Sequence, residues 1–206
     1  MRSPKSVESL EELGRVRLSP SFFMRDFLYS EIANFYGKQN IPENPDLAIA
    51  NGKRLCEELL EPLNATFGRV AVRSSYRSPT INALGNKEGH NCGSNEKNFA
   101  CHIWDIPDAD GNGAMACVVV PWFADRYEQG ADWRALAYWI HNHLPYSQLQ
   151  FFPKLCAFNI GWHEKPKRAI YSYIKPAIKI ERGSPPDAAY AEYYADFPEF
   201  RRRNDV

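Results

Sequence analysis

The spacing of apolar residues along this chain changes from helical in its first third to strand-like in its last. Between residues 46 and 63, Leu47, Ile49, Leu55, Leu59 and Leu60 recur at intervals that line one helix face, and Pro42 and Pro45 break the chain just before them. Ser19-Pro20 opens a shorter helix carrying Phe22, Phe23, Phe27 and Leu28. Gly68 closes the connection, after which residues 70–76 alternate as a strand does. Ser78-Pro79 then starts another helix, ending near Gly85.

Residues 86–97 form a polar loop rich in Gly and Asn. Residues 99–106 read as a strand, followed by a turn at Pro107-Asp108-Ala109-Asp110-Gly111. The stretch 118–127 is aromatic and predicted to be mostly buried. Asp132 caps a helix running to about His143, with Leu136, Tyr138, Trp139 and Ile140 on its apolar side. His141 and His143, at the end of that helix, are expected to face water or the helix dipole. Residues 149–152, 158–163 and 170–174 are three further strands. The expected fold is α+β, with early helices packed on a mainly antiparallel sheet that dominates the second half. Gly183-Ser184-Pro185-Pro186 marks a linker, and Tyr190, Tyr193, Tyr194 and Phe197 follow at helical spacing. That C-terminal arm either docks on its own domain or packs on a neighbouring subunit or partner, and Arg201-Arg202-Arg203 reads as a solvated end. The chain divides into an extension (1–18), a main domain (19–176) and the arm (177–206).

With 206 residues, 44% of them hydrophobic, the chain suits one domain with a proper core. Twenty-five basic and twenty-five acidic residues leave no net charge, so no general attraction to nucleic acid or to an anionic membrane is expected. No stretch approaches the roughly 20 apolar residues of a membrane span. The five cysteines include no C-x-x-C pair, and reduced thiols are the expectation. Cys56 and Cys117 read as small buried hydrophobes. Cys92 and Cys101 flank the polar loop, where they can bridge or lend sulfur to a metal.

The chemistry gathers around Ser74-Ser75-Tyr76-Arg77-Ser78-Pro79-Thr80-Ile81-Asn82, then Asp105, then Trp162-His163. This order resembles the zinc D-Ala-D-Ala carboxypeptidases and cell-wall endopeptidases of the hedgehog/DD-peptidase fold. The resemblance implies that fold, a zinc held by two His and one Asp, and a Glu acting on the bound water. On this chain Asp105 and His163 take two of the metal positions. Asn98 stands where the first His belongs, Cys101 and Ile103 fall on the pattern's small residues, and Glu96 takes the place of a Ser. The Glu position falls on Phe152, or on Ile160 when counted back from His163; neither can move a proton. His102 and His90 are the alternative ligands, His102 requiring a bulge in its strand and His90 an insertion before Asp105. A Cys101–His102 nucleophilic pair is disfavoured, because neighbouring strand residues face opposite ways.

Arg77 is the leading binding residue, suited to the carboxylate of an anionic peptide or to a structural pair, with Ser74 and Tyr76 beside it. The resemblance therefore implies a peptidase-like domain with a degenerate zinc site, a partner that is peptidoglycan stem peptide or a structural protein, and, as the other reading, an active zinc peptidase with rearranged ligands. The opening residues lack an apolar signal core. Synthesis in the cytoplasm is then expected, with access to a wall through a virion or through lysis, and self-association is expected to run through the aromatic arm.

Overall fold

The computed structural model describes residues 1–178 and 180–201; Arg202 and Arg203 of the basic run lie outside the described residues. The fold is α+β, with helices packed on a mixed five-stranded sheet. Its helices are α1 (Val7–Gly14), α2 (Arg25–Leu28), α3 (Glu31–Phe35), α4 (Pro45–Leu55), α5 (Glu61–Phe67), α6 (Pro79–Lys87), α7 (Asn95–Asn98), α8 (Pro121–Glu128) and α9 (Trp133–His143). The strands β1 (Ala71–Ser74), β2 (Gly113–Val119), β3 (Gln148–Phe151), β4 (Phe158–His163) and β5 (Ala169–Ser172) lie in the order β1-β2-β4-β3-β5. All neighbours pair antiparallel except β3 and β5, which run parallel. No helix among the described residues is long and apolar enough to cross a membrane.

α4 and α5 form one helical run, joined by a π-turn over Cys56–Leu60. Pro62 explains it: proline has no N–H to donate to the carbonyl four residues back, and the widened turn sends the Glu61 N–H to the Cys56 carbonyl. This run packs across β2 and β4 and buries Leu55, Leu59, Leu60 and Leu63 against the sheet. The N-terminal segment is not a loose extension, since Leu13 and Leu18 are in the core. The caps follow the sequence: Ser78 accepts from the Ile81 N–H at the head of α6, and Asp132 from the Arg134 N–H at the head of α9.

Several expectations fail. Ser19-Pro20 opens no helix: residues 18–22 turn back so that Arg17 bridges Phe23, and the helix there spans only Arg25–Leu28. Residues 99–106 form a folded-back loop, not a strand. Ala100 takes φ +52°, the Asn98 carbonyl accepts from both Cys101 and Ile103 N–H, and the Ala100 N–H reaches the Ile106 carbonyl. The strand that follows is β2, which the sequence reading missed before residue 118. β2 is almost wholly buried and lacks a polar-outward alternation, so period two is invisible in it. Gly113 makes the two features compatible. A Cβ there would lie 2.2 Å from the Ala100 carbonyl, so only glycine lets the loop rest against the start of β2 and beside His163.

The arm folds as a 3₁₀ segment over Ala188–Tyr194 rather than an α-helix, and it packs on α9 of its own domain. Tyr190 stacks on Tyr138, with ring centroids 4.4 Å apart.

Candidate functional site

Asp105 is the best-anchored polar residue of the loop. Its Oδ2 accepts from the backbone N–H groups of Glu43 (2.8 Å) and Asn44 (3.2 Å), and its Oδ1 from the Tyr76 hydroxyl (3.0 Å). Asn44 is the N-cap of α4, so this carboxylate ties the loop to the head of the longest helical run. Tyr76 is fully buried, and its phenol is pushed up by burial and by the Asp105 charge. Its expected role as a substrate contact is corrected: it supports Asp105. Ser74 ends β1 half-buried.

The other expected ligands are dispersed. His102 points its Nδ1 at the Ser75 carbonyl, 2.9 Å away. Burial, with the Arg77 charge beside it, pulls its pKa down to about 3 against that hydrogen bond, so it is neutral. His90 lies on the surface and meets the Tyr36 hydroxyl at 3.0 Å. Asn98 donates to the Ser94 carbonyl and accepts weakly from Arg77 at 3.4 Å. His163, at the end of β4, has both nitrogens engaged. Nδ1 accepts from the Lys165 N–H at 2.9 Å, so the ring proton sits on Nε2, which donates to Asp108 Oδ1 at 3.1 Å. Ligating a metal through Nε2 would require moving that proton to Nδ1 and losing the Lys165 bond. Among the described residues, no three His, Cys, Asp or Glu side chains are grouped as a metal centre needs. The expected set of Asp105, His163 and His102 or His90 therefore does not fit zinc.

What does gather at His163 is a cleft of about 270 Å³. Cys101, Asp108, Ser147, Lys97 and Lys167 line it with His163. Burial alone would raise the Asp108 carboxyl. The hydrogen bonds from the Asp110 N–H and from His163, with the nearby positive charge of Lys167, hold it below the ordinary carboxylate range. Lys167 Nζ stands 3.7 Å from Asp108 Oδ2, while Lys97 is exposed and has no ion pair among the described residues. Burial pushes the Cys101 thiol up to about 11 in spite of Arg77, so it is a poor nucleophile at neutral pH. Its Sγ rests 3.3 Å from Met115 Sδ.

Arg77 lies behind this wall. One terminal nitrogen meets Cys92 Sγ at 3.4 Å, the other meets Asn98 Oδ1 at 3.4 Å, and the buried Nε has no partner. No carboxylate pairs with it among the described residues; Asp105, one expected partner, is held by other donors, and a pairing with the chain's tail carboxylate falls outside the described residues. All five cysteines are free thiols, so Cys92 and Cys101 are not bridged.

Sequence reasoning missed Asp108 and Lys167. A signal for the first was present, since Cys101 and Asp108 stand seven residues apart, the same spacing as Asn98 and Asp105. No family model, curated protein or solved structure matches the chain.

Proposed function

We propose that this protein is a catalytically silent relative of the zinc cell-wall peptidases, with a hedgehog/DD-peptidase-like fold, and that it binds the carboxylate end of a peptidoglycan stem peptide without hydrolysing it. The observation that carries this reading is the split between the two halves of the expected site. The would-be ligands are committed to internal hydrogen bonds: Asp105 to three donors, His163 to Lys165 and Asp108, His102 to Ser75. The cations Lys97 and Lys167 still face the cleft. A carboxylate entering there finds Lys97, Lys167 and the Ser147 hydroxyl, competes with the lining carboxylates of Asp108 and Glu96 for the two cations, and meets no general base on Phe152 or Ile160 to drive a water.

The test is calorimetric titration with a stem peptide ending in D-Ala-D-Ala, chelator present, against the same peptide with an amidated C-terminus. Binding with a Kd of about 10 µM to 1 mM is expected for the free acid, and at least about tenfold weaker for the amide. In a parallel incubation with zinc in place of the chelator, release of D-alanine from the free acid would overturn the reading and favour the active peptidase.

A further inference from the structure

The last described stretch of chain, residues 184–201, crosses α9 as a strap held by a polar latch and a row of rings. At the centre of the latch is His141, fully buried where the sequence alone suggested a water-facing helix end. Its Nε2 lies 2.9 Å from the Pro185 carbonyl, which can only accept, so Nε2 carries the proton. Nδ1 then accepts from the Tyr146 hydroxyl at 2.8 Å. Arg168 donates to the Ser184 carbonyl at 3.2 Å and the His141 carbonyl at 2.6 Å, and its guanidinium lies 3.3 Å from Nδ1. Asn142 closes the latch by pairing its amide with both backbone groups of Asp187, at 2.9 and 3.0 Å.

The rings continue along the same face. Phe200 stacks on His143 at 4.8 Å, and Phe197 packs edge-on against Phe67. His141 is faced by Tyr146, by Arg168 and, from the strap, by Tyr190 at 5.9 Å; the charged member is Arg168. His143 is faced by Trp139, Tyr194 and Phe200. A proton added to Nδ1 would place a second cation against Arg168 and remove the acceptor of the Tyr146 hydroxyl.

We infer that the strap is an acid-released latch: protonation of His141 frees residues 184–201 from α9, uncovers the Tyr138 and Trp139 rings, and loosens Arg168. The release reaches the cleft, because Tyr146 and Arg168 adjoin the cleft-lining Ser147 and Lys167, and the Lys167 N–H is bonded to the Ser147 hydroxyl at 3.1 Å. Burial, helped by Arg168 and opposed by the Pro185 bond, holds His141 below its ordinary value, and burial does the same to His143. The sign follows. A released strap takes up the proton near the ordinary His pKa of about 6.5, so the hold is full above that pH and weakens as pH falls below it.

Hydrogen exchange of the whole protein, corrected for intrinsic rates, tests this between pH 7.5 and 5.5. Protection of the backbone amides at residues 187–197 is expected to fall, with up to about tenfold from His141 alone, the limit set by one proton one unit below its free pKa, and a further share from His143 beneath Phe200, while β4 stays protected. His141→Gln, which does not titrate, is expected to cut that response to the share that His143 carries. Asn142→Ala, on the exposed rim of the latch, is expected to lower protection severalfold at every pH and keep the slope. Protection of the strap that is flat with pH, or that falls in step with β4, would overturn the inference; so would an unchanged slope in His141→Gln.

Discussion

Asp105 and Asp108 stand three residues apart in one loop and do opposite work. Asp105 is 5% exposed, takes two backbone N–H groups and a buried phenol, and has its nearest neighbours fixed by the head of α4. Asp108 sits at the edge of a cleft, shares His163, and has Lys167 at 3.7 Å. A carboxylate with three internal donors is a structural joint. One that faces a cation across open space can exchange partners with a ligand. The difference is set by the folded-back loop at Ala100, which turns the first carboxylate inward and leaves the second at the rim.

The largest expected effect separates the two acids directly. Asp105→Ala should destabilise the fold by about 5 kcal/mol in urea unfolding, as three charge-assisted hydrogen bonds at roughly 1.5–3 kcal/mol each are lost. Equal destabilisation by Asp105→Ala and Asp108→Ala would erase the distinction.

Next comes acid. His102 is neutral in the fold with a pKa near 3, while the unfolded chain protonates near 6.5. Stability should then be lost as pH falls from about 6.5 to 3, by on the order of 4 kcal/mol. His102→Asn, which can still donate to the Ser75 carbonyl, should remove most of that slope in denaturation at successive pH values. Tyr76→Phe should cost about 1.5–3 kcal/mol, leaving one Asp105 oxygen without its donor. At the cleft the stability effects are smaller. Asp108→Ala should cost under about 1 kcal/mol, since partly exposed pairs contribute little. Lys167→Ala should leave stability within about 0.5 kcal/mol yet weaken the stem peptide about five- to tenfold by calorimetry.

The elements that announced themselves in the sequence are those fixed by local chemistry. Ser78 before Pro79 and Asp132 before the aromatic helix gave their caps away, and β4 runs over Phe158–His163 as its apolar pattern indicated. The failures are non-local. Ile103 and Trp104 look like strand residues because both need burial, but they reach it through a loop packed on Gly113, which lies downstream in the chain, while Phe99 stays half-buried at the cleft. His141 looked solvent-facing because the strap that buries it arrives with Pro185. At the site, Asp105 and His163 were picked out because the resemblance puts metal ligands at those positions, and the structure holds both by hydrogen bonds within the chain. Their hydrogen-bond partners, Glu43 and Asn44 for one and Lys165 and Asp108 for the other, decide their roles, and no spacing rule exposes a partner of that kind.

Zinc content tests the central claim most directly, measured by elemental analysis on protein purified without chelator, with His163→Ala as the control. Asp105→Ala is unsuited to that purpose because its loss is expected to disturb the fold itself. The account predicts well under one zinc per chain, unchanged in His163→Ala. Close to one zinc per chain, lost in His163→Ala while the protein stays folded, would contradict it.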